Sequence, residues 1–475
     1  MISGWLFTLV REQSLWLLAV ALLLDLVAIG RALVRGHGVE STLAWILGIL
    51  ALPVIGAVAY LAVANPSIRR TRRRRAVHVK RRRGGGGVPD PGDGADQPLL
   101  SAAVAATGYG ATPGNDVRLM MDDEDAFRQL EAAIHEARSS VWAEYYIVRD
   151  DETGRRFLDL LTERARAGVD VRLLYDAVGS IGLGRERLEA IRQAGGRVEP
   201  FLPVNPLRRR WAVHLRNHRK MVLVDGVRAF TGGMNVGDEY SGRARRRGAW
   251  FFRDALVSIT GPAVADLAAV FADDWSFATG DEPPLPTAAT PGQGSVVAPV
   301  PSGPDQRVNA SGLVYFTGIA TARRRCWLTT PYFVPDQPTL RALVASALRG
   351  VDVRVLLPAR CDVALAGHAA RSYYPELVRA GVRIFEYQPA MLHAKTLVVD
   401  DRWAVVGSAN VDMRSFRLNF ELGVALDAPD LAQDLSRRFH ADQGASREIG
   451  RADVTGLALA TRLGRGLARL ASPIL

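Results

Sequence analysis

The sequence predicts an α/β protein: two tandem α/β sandwich domains related by pseudo-twofold symmetry, preceded by two N-terminal transmembrane helices. Three observations predict it. Two long apolar runs open the chain, helix-like and strand-like stretches alternate through the remainder, and one polar pattern occurs twice at identical spacing. A chain of 475 residues permits about two or three domains.

The apolar runs come first. Residues 43–64 (LAWILGILALPVIGAVAYLAVA) are an uncharged run of 22. As one helix they would reach about 33 Å, enough for a hydrocarbon core of about 30 Å. Pro53 and Gly56 are compatible with a lipid-phase helix, and Trp45 and Tyr60 lie near the two ends, where amphipathic rings favour the interface. The earlier run carries Asp25 and Arg31 among twelve Leu, Ile and Val residues over 15–34. No small-residue cleavage site separates the two runs, so they predict a two-helix anchor within 1–65, with spans at 14–34 and 43–64.

Charge then orients the anchor. The net charge of +11 suggests nucleic acid or an anionic membrane as partner. Ten basic residues and no acidic one lie between Arg69 and Arg83, which leaves the rest of the chain almost neutral. A basic cuff beside a membrane span attracts anionic headgroups, and the positive-inside rule puts the downstream chain in the cytoplasm. Arg31 and Arg35, at the end of the first run, oppose that bias and are outnumbered. Cys326 and Cys361 form no ligand cluster and no disulfide framework.

Composition divides the remainder. A basic segment and Gly-rich linker cover 66–100, a first domain 101–279, a second Pro/Gly/Thr/Ser-rich linker 280–304, a second domain 305–446 and an amphipathic tail 447–475. GVDVR occurs at 168–172 and again at 350–354, each time after a helix-like stretch and before an apolar strand-like run. Alternation of this kind argues for an α/β sandwich, and the repeat is too long for a solenoid. In the tail, Leu459, Leu463, Leu467 and Leu470 share one helical face, so the segment would lie on a membrane surface or pack onto the body.

The duplication converges on chemistry. Both copies read H-x-K-x4-D-x6-G-[GS]-x-N: His218, Lys220, Asp225, Gly233 and Asn235 in the first, His393, Lys395, Asp400, Ser408 and Asn410 in the second. His and Lys two apart on a strand project from one face. Glycine or serine near the Asn would let a bulky anion approach the backbone. Only three of the 60 basic residues are lysines, and two occupy matching positions; a compact ammonium retained amid arginines suits phosphate. Two His, two Lys and two Asn could surround one phosphodiester, with one imidazole attacking phosphorus and the other donating a proton to the leaving alkoxide. Such imidazoles need acceptors that fix their tautomers, and Glu421 and Asp254 are candidates after the second and first motifs. No metal-ligand spacing stands out, so neither metal nor cofactor is expected.

At these residues the chain resembles the phospholipase D superfamily, and within it the bacterial cardiolipin synthases. The likeness spans EYYIVRDDETG at 144–154, NHRKMVLVDG with TGGMNVGDEY, PSGPD, TTPYFVPD at 329–336 and LHAKTLVVDDRWAVVGSANVDMRSFRLNFEL. It implies transfer of a phosphatidyl group between two phosphatidylglycerols with release of glycerol, His218 as nucleophile, His393 as general acid, and anionic lipids as partners. WFFRDAL at 250–256 departs from the family's Trp-Arg-Asp-Thr-His in Ala255 and Leu256, which bears on acceptor recognition. The alternatives are a phospholipase D that uses water or another alcohol, and a nuclease; the apolar runs and near-neutral body argue against nucleic acid. The sequence leaves the oligomeric state open.

Overall fold

A computed structural model describes residues 2–35, 39–63, 97–203, 215–306 and 308–472. The basic cuff and nearly all of the Gly-rich linker lie outside them. The chain divides into two units, Met1–Arg70 and Thr71–Leu475.

In the first unit α1 (Ile2–Arg35) contains an apolar stretch, Trp16–Val34, long enough to cross a membrane. The second expected span is not one helix. It forms α2 (Val39–Ala51) and α3 (Ile55–Val63), which fold back on each other: Trp45 and Tyr60, expected at opposite ends of a span, have ring centroids 5.3 Å apart. Proline at position 53 has no N–H to continue the ladder, and Val54 takes φ +66°. The freed Val54 N–H donates to Asp25 Oδ1 at 2.9 Å. A Cβ at Gly56 would stand 2.6 Å from the Gly48 carbonyl oxygen, so only glycine allows this approach.

The second unit is built on one sheet of sixteen strands among the described residues. Its first half supplies β1 (Thr112–Met120), β2 (Ser140–Tyr145), β3 (Asp170–Asp176), β4 (Arg197–Phe201), β5 (Met221–Val224), β6 (Arg228–Gly232) and β7 (Leu256–Thr260). Its second half supplies β8 (Ser295–Ser302), β9 (Arg325–Thr329), β10 (Asp352–Pro358), β11 (Arg383–Tyr387), β12 (Thr396–Val399), β13 (Trp403–Gly407), β14 (Asn419–Asp427) and β15 (Ser446–Ile449). From the antiparallel β1–β8 seam the order runs β7-β6-β5-β2-β3-β4 one way and β14-β13-β12-β9-β10-β11 the other, with β15 at the far edge. The same order therefore occurs twice. Apolar strands such as β10 are covered by helices, giving separate cores around Leu161 and Val171 in one half and Leu343 and Val355 in the other. The helix Glu152–Arg166 starts at Asp151, whose carboxylate accepts from Gly154 N–H at 2.9 Å, a cap contributing about 1 kcal/mol.

One expectation changes here. The linker at 280–304 ends earlier, because β8 lies at the centre of the sheet with Val297 and Ala298 fully buried. Its Pro299 and Pro301 fall beyond Val297 and Ser295, the residues that pair with β1, where β14 is the remaining neighbour. A strand tolerates proline in that edge-like setting.

Of the two readings of the tail, the structure shows packing onto the body. The helix Leu459–Leu470 packs on the helix Ala364–Ala380 through buried Ala468 and through Arg469, whose guanidinium lies 4.4 Å from the Tyr373 ring centroid. Its four leucines point outward, with exposures between 58% and 77%.

Candidate active site

Each motif histidine is placed by a strand pair too short to read from sequence. Arg216–Asn217 runs parallel to the start of β14, with Asn217 opposite Phe420. The next residue on each chain is His218 and Glu421, and His218 N–H donates to the Phe420 carbonyl at 2.8 Å. Likewise Met391–Leu392 pairs in parallel with Phe252–Arg253, which sets His393 beside Asp254. His218 Nδ1 lies 2.9 Å from Glu421 Oε2, and His393 Nδ1 2.5 Å from Asp254 Oδ2. The pairing is crossed: each half supplies the carboxylate for the other half's histidine. Each Nδ1 is thereby tied up, which makes Nε2 the reactive nitrogen, with Lys395 Nζ 3.1 Å from that atom of His393.

Behind the rings lie the lysines, both fully buried. Lys220 Nζ donates to the His218 carbonyl at 2.7 Å, and Lys395 Nζ lies 2.7 Å from His393 Nδ1. Burial pushes both imidazoles down to about 4, against the pull of Glu421 and Asp254. It pushes Lys220 down to about 7 and Lys395 to about 8. Burial would raise the two carboxylates, but the adjoining His and Lys outweigh it and hold both below their ordinary values. Burial thus favours the neutral form of both imidazoles. A phosphodiester beside them would raise both and let one keep a proton.

The two small motif residues lie against the carboxylates. A Cβ at Gly233 would stand 2.2 Å from Asp254 Oδ1, and Ser408 Oγ donates to Glu421 Oε2 at 2.5 Å. Both positions accommodate a carboxylate. Asp225 and Asp400 also serve elsewhere, at turns with φ +53° and +52°. Asp225 accepts backbone N–H groups of Arg138, Ser139 and Ser140, and Asp400 those of Arg323, Arg324 and Arg325. They tie the start of β2 and of β9 to the motif hairpins. Neither touches a histidine, because four strand residues separate each from its lysine.

Both histidines open into a pocket of about 410 Å³ shared by the two halves, with Asn235 and Asn410 on its wall. Asn235 Oδ1 accepts from Ile147 N–H at 3.2 Å and its amide donates to Tyr240 Oη at 3.0 Å. Buried Asn410 Oδ1 has no hydrogen-bond partner among the described residues. Several lining residues escaped the motif search. Tyr146 lies 4.8 Å from the His218 ring, Phe252 stacks on His393 at 5.1 Å, and Arg216 and Arg414 bring positive charge to the wall. Phe252 lies within WFFRDAL, and adjacency to Asp254 could have flagged it. Ala255 and Leu256, the departure from the family pattern, are buried in or beside β7 and do not line the pocket.

Comparison with known proteins matches these features. A family model described as "Cardiolipin synthase, PLD-like domain" covers residues 130–275 and 315–443, and one described as "Phospholipase_D-nuclease N-terminal" covers 15–65. The chain is 36% identical over 471 residues to cardiolipin synthase A of Pseudomonas entomophila (strain L48), across 97% of this chain and 98% of that protein. It is also 36% identical over 449 residues to the cardiolipin synthase of Geobacillus kaustophilus (strain HTA426), across 92% and 89%. Phosphatidylserine synthase of Haemophilus influenzae Rd KW20 shares the fold, with TM-score 0.61 at 15% identity over 79% of this chain and all of that one.

Proposed function

The chain belongs to the PLD-like cardiolipin synthase family and is a phosphatidyltransferase that makes cardiolipin; from that premise we propose a two-step transfer through a phosphohistidine on His218. The observation that carries the mechanism is the pair of crossed histidine–carboxylate contacts opening on one pocket.

In the first step Nε2 of neutral His218 attacks phosphorus of one phosphatidylglycerol. A P–N bond forms, the P–O bond to the glycerol headgroup breaks, and His393 gives its proton to the leaving glycerol oxygen. In the second step a hydroxyl of another phosphatidylglycerol attacks the phosphohistidine. His393, now neutral, takes that hydroxyl's proton, the P–N bond breaks, and cardiolipin leaves with both histidines restored. Glu421 and Asp254 hold the rings and stabilise whichever imidazole is charged. Lys220, Lys395, Asn235 and Asn410 stabilise charge that grows on the equatorial phosphate oxygens. Arg216 and Arg414 supply positive charge for the second lipid's phosphate. The two halves act as a pseudo-twofold pair about the seam.

The N-terminal apolar helix associates the chain with a membrane. The ten basic residues from Arg69 to Arg83 favour the cytoplasmic face of a bacterial inner membrane for the chain that follows. The outward leucines of the C-terminal helix, with exposed Arg462 nearby, suit an anionic lipid surface.

Purified full-length protein given labelled phosphatidylglycerol in mixed micelles tests the reading. Cardiolipin and glycerol in equal amounts are expected. Phosphatidic acid as the sole lipid product would overturn it in favour of hydrolysis.

A further inference from the structure

We propose that α2 and α3 form a re-entrant hairpin that enters the membrane to its midplane and returns, so the chain crosses the bilayer once. Its two ends, before α1 and after α3, then emerge on opposite faces.

Three observations support this geometry. First, the Trp45–Tyr60 contact at 5.3 Å requires the chain to reverse, because fifteen residues of continuous helix would separate these rings by about 22 Å. Second, the depth fits. Asp25 is the midpoint of the Trp16–Val34 stretch, and its carboxylate accepts the Val54 N–H at the hairpin tip. Ten residues from Asp25 to Arg35 rise about 15 Å, half of a core about 30 Å thick. The thirteen residues of α2 reach about 20 Å, enough to bring the tip from the interface to that depth. Third, the reversal is built for apolar surroundings. Non-helical backbone at membrane depth must find its partners inside the protein, and here an acid at the centre of α1 supplies one. Ala28, Ala32, Ile49, Ala57 and Tyr60 are all buried in the seam between the three helices.

The hairpin also removes a conflict in the charge pattern. Two full spans would put Arg31 and Arg35 on the face opposite the cluster from Arg69 to Arg83, against the positive-inside rule. With a hairpin all of these arginines share one face.

The test uses the full-length chain in bacterial cells, with a side-specific reporter fused in turn to each end. Reporters active on opposite faces are expected; reporters on the same face would overturn the proposal. A second measurement guards against a reporter that disturbs insertion. Trp45→Cys with Tyr60→Cys, in a Cys326→Ala, Cys361→Ser background, is treated with a short bis-maleimide and digested. An intrachain cross-link between positions 45 and 60 is expected, and its absence, when each cysteine alone reacts with a small maleimide, would overturn the proposal.

Discussion

The two histidine centres have the same plan and different fittings. His218 is held by a glutamate, the longer acid, which is fixed by Ser408 and by the Asn419 amide at 3.1 Å. His393 is held by an aspartate, the shorter acid, which lies against Gly233 and accepts from Ala255 N–H at 2.8 Å. The serine and the glycine occupy equivalent motif positions, so one side adds a hydrogen bond where the other removes an atom. The lysines differ too: each reaches the backbone carbonyl of its own histidine, and Lys395 Nζ lies against the His393 ring as well. Equivalent motifs thus give two non-equivalent imidazoles, which suits a reaction that asks one to bond phosphorus and the other to move a proton.

The largest effects should come from removing either ring. His218→Ala and His393→Ala are each expected to lose at least about 10⁴-fold and about 10²–10⁴-fold in turnover, respectively. A phosphodiester with a p-nitrophenolate leaving group sharpens the contrast, since that group needs no proton. Release of nitrophenolate should recover in His393→Ala and stay lost in His218→Ala; equal recovery would remove the distinction.

Next come the fittings. Gly233→Ala would push a methyl into Asp254, so a loss above about 100-fold in kcat is expected. Ser408→Ala deletes one charge-assisted hydrogen bond, for about 1.5–3 kcal/mol or roughly 10–150-fold. Steady-state kinetics on the two folded proteins compares them, and Ser408→Ala proving the worse would contradict the carboxylate-seat reading.

The pH profile of kcat/KM reports the free enzyme. His218, lowered to about 4, gains a proton as pH falls toward that value, and the nucleophile is lost on the acid side; His393, lowered likewise, loses the proton it donates as pH rises through the same value, so its acid role depends on the bound phosphodiester raising it. The lysines, lowered to about 7 and 8, lose their charge as pH rises through that range, and charge stabilisation declines on the alkaline side. An activity that keeps rising well above pH 9 would contradict the lysine roles.

The smallest catalytic effects belong to Asp225→Asn and Asp400→Asn. Each should cost about 1–3 kcal/mol of stability in denaturant unfolding while turnover per folded molecule changes little. Collapse of kcat without loss of stability would return these aspartates to the active site.

Much of this was legible in the chain. The doubled pattern located both histidines, both lysines and both asparagines, and the need for tautomer-fixing acids pointed to Glu421 and Asp254. Which acid serves which histidine was not legible, because the crossing depends on two-residue strand pairs with no periodicity. The matching spacing of Asp225 and Asp400 suggested chemistry, but an acid at a turn can equally bind backbone donors, as both do. β8 was hidden by Pro299 and Pro301, whose composition reads as linker until the missing neighbour is known. The hairpin of α2 and α3 was hidden for a related reason. An uncharged run of 22 satisfies every length rule for a span, and the Asp25 contact that stabilises its reversal is tertiary.

The account rests on one histidine carrying the phosphatidyl group while the other moves the proton. Rapid acid-free quenching of the full-length enzyme with phosphatidylglycerol, followed by peptide mass spectrometry, tests this directly. The adduct is expected on His218, in greater amount in His393→Ala with the p-nitrophenyl substrate and absent in His218→Ala. An adduct on His393 in the unaltered enzyme, with His218 unmodified, would contradict it.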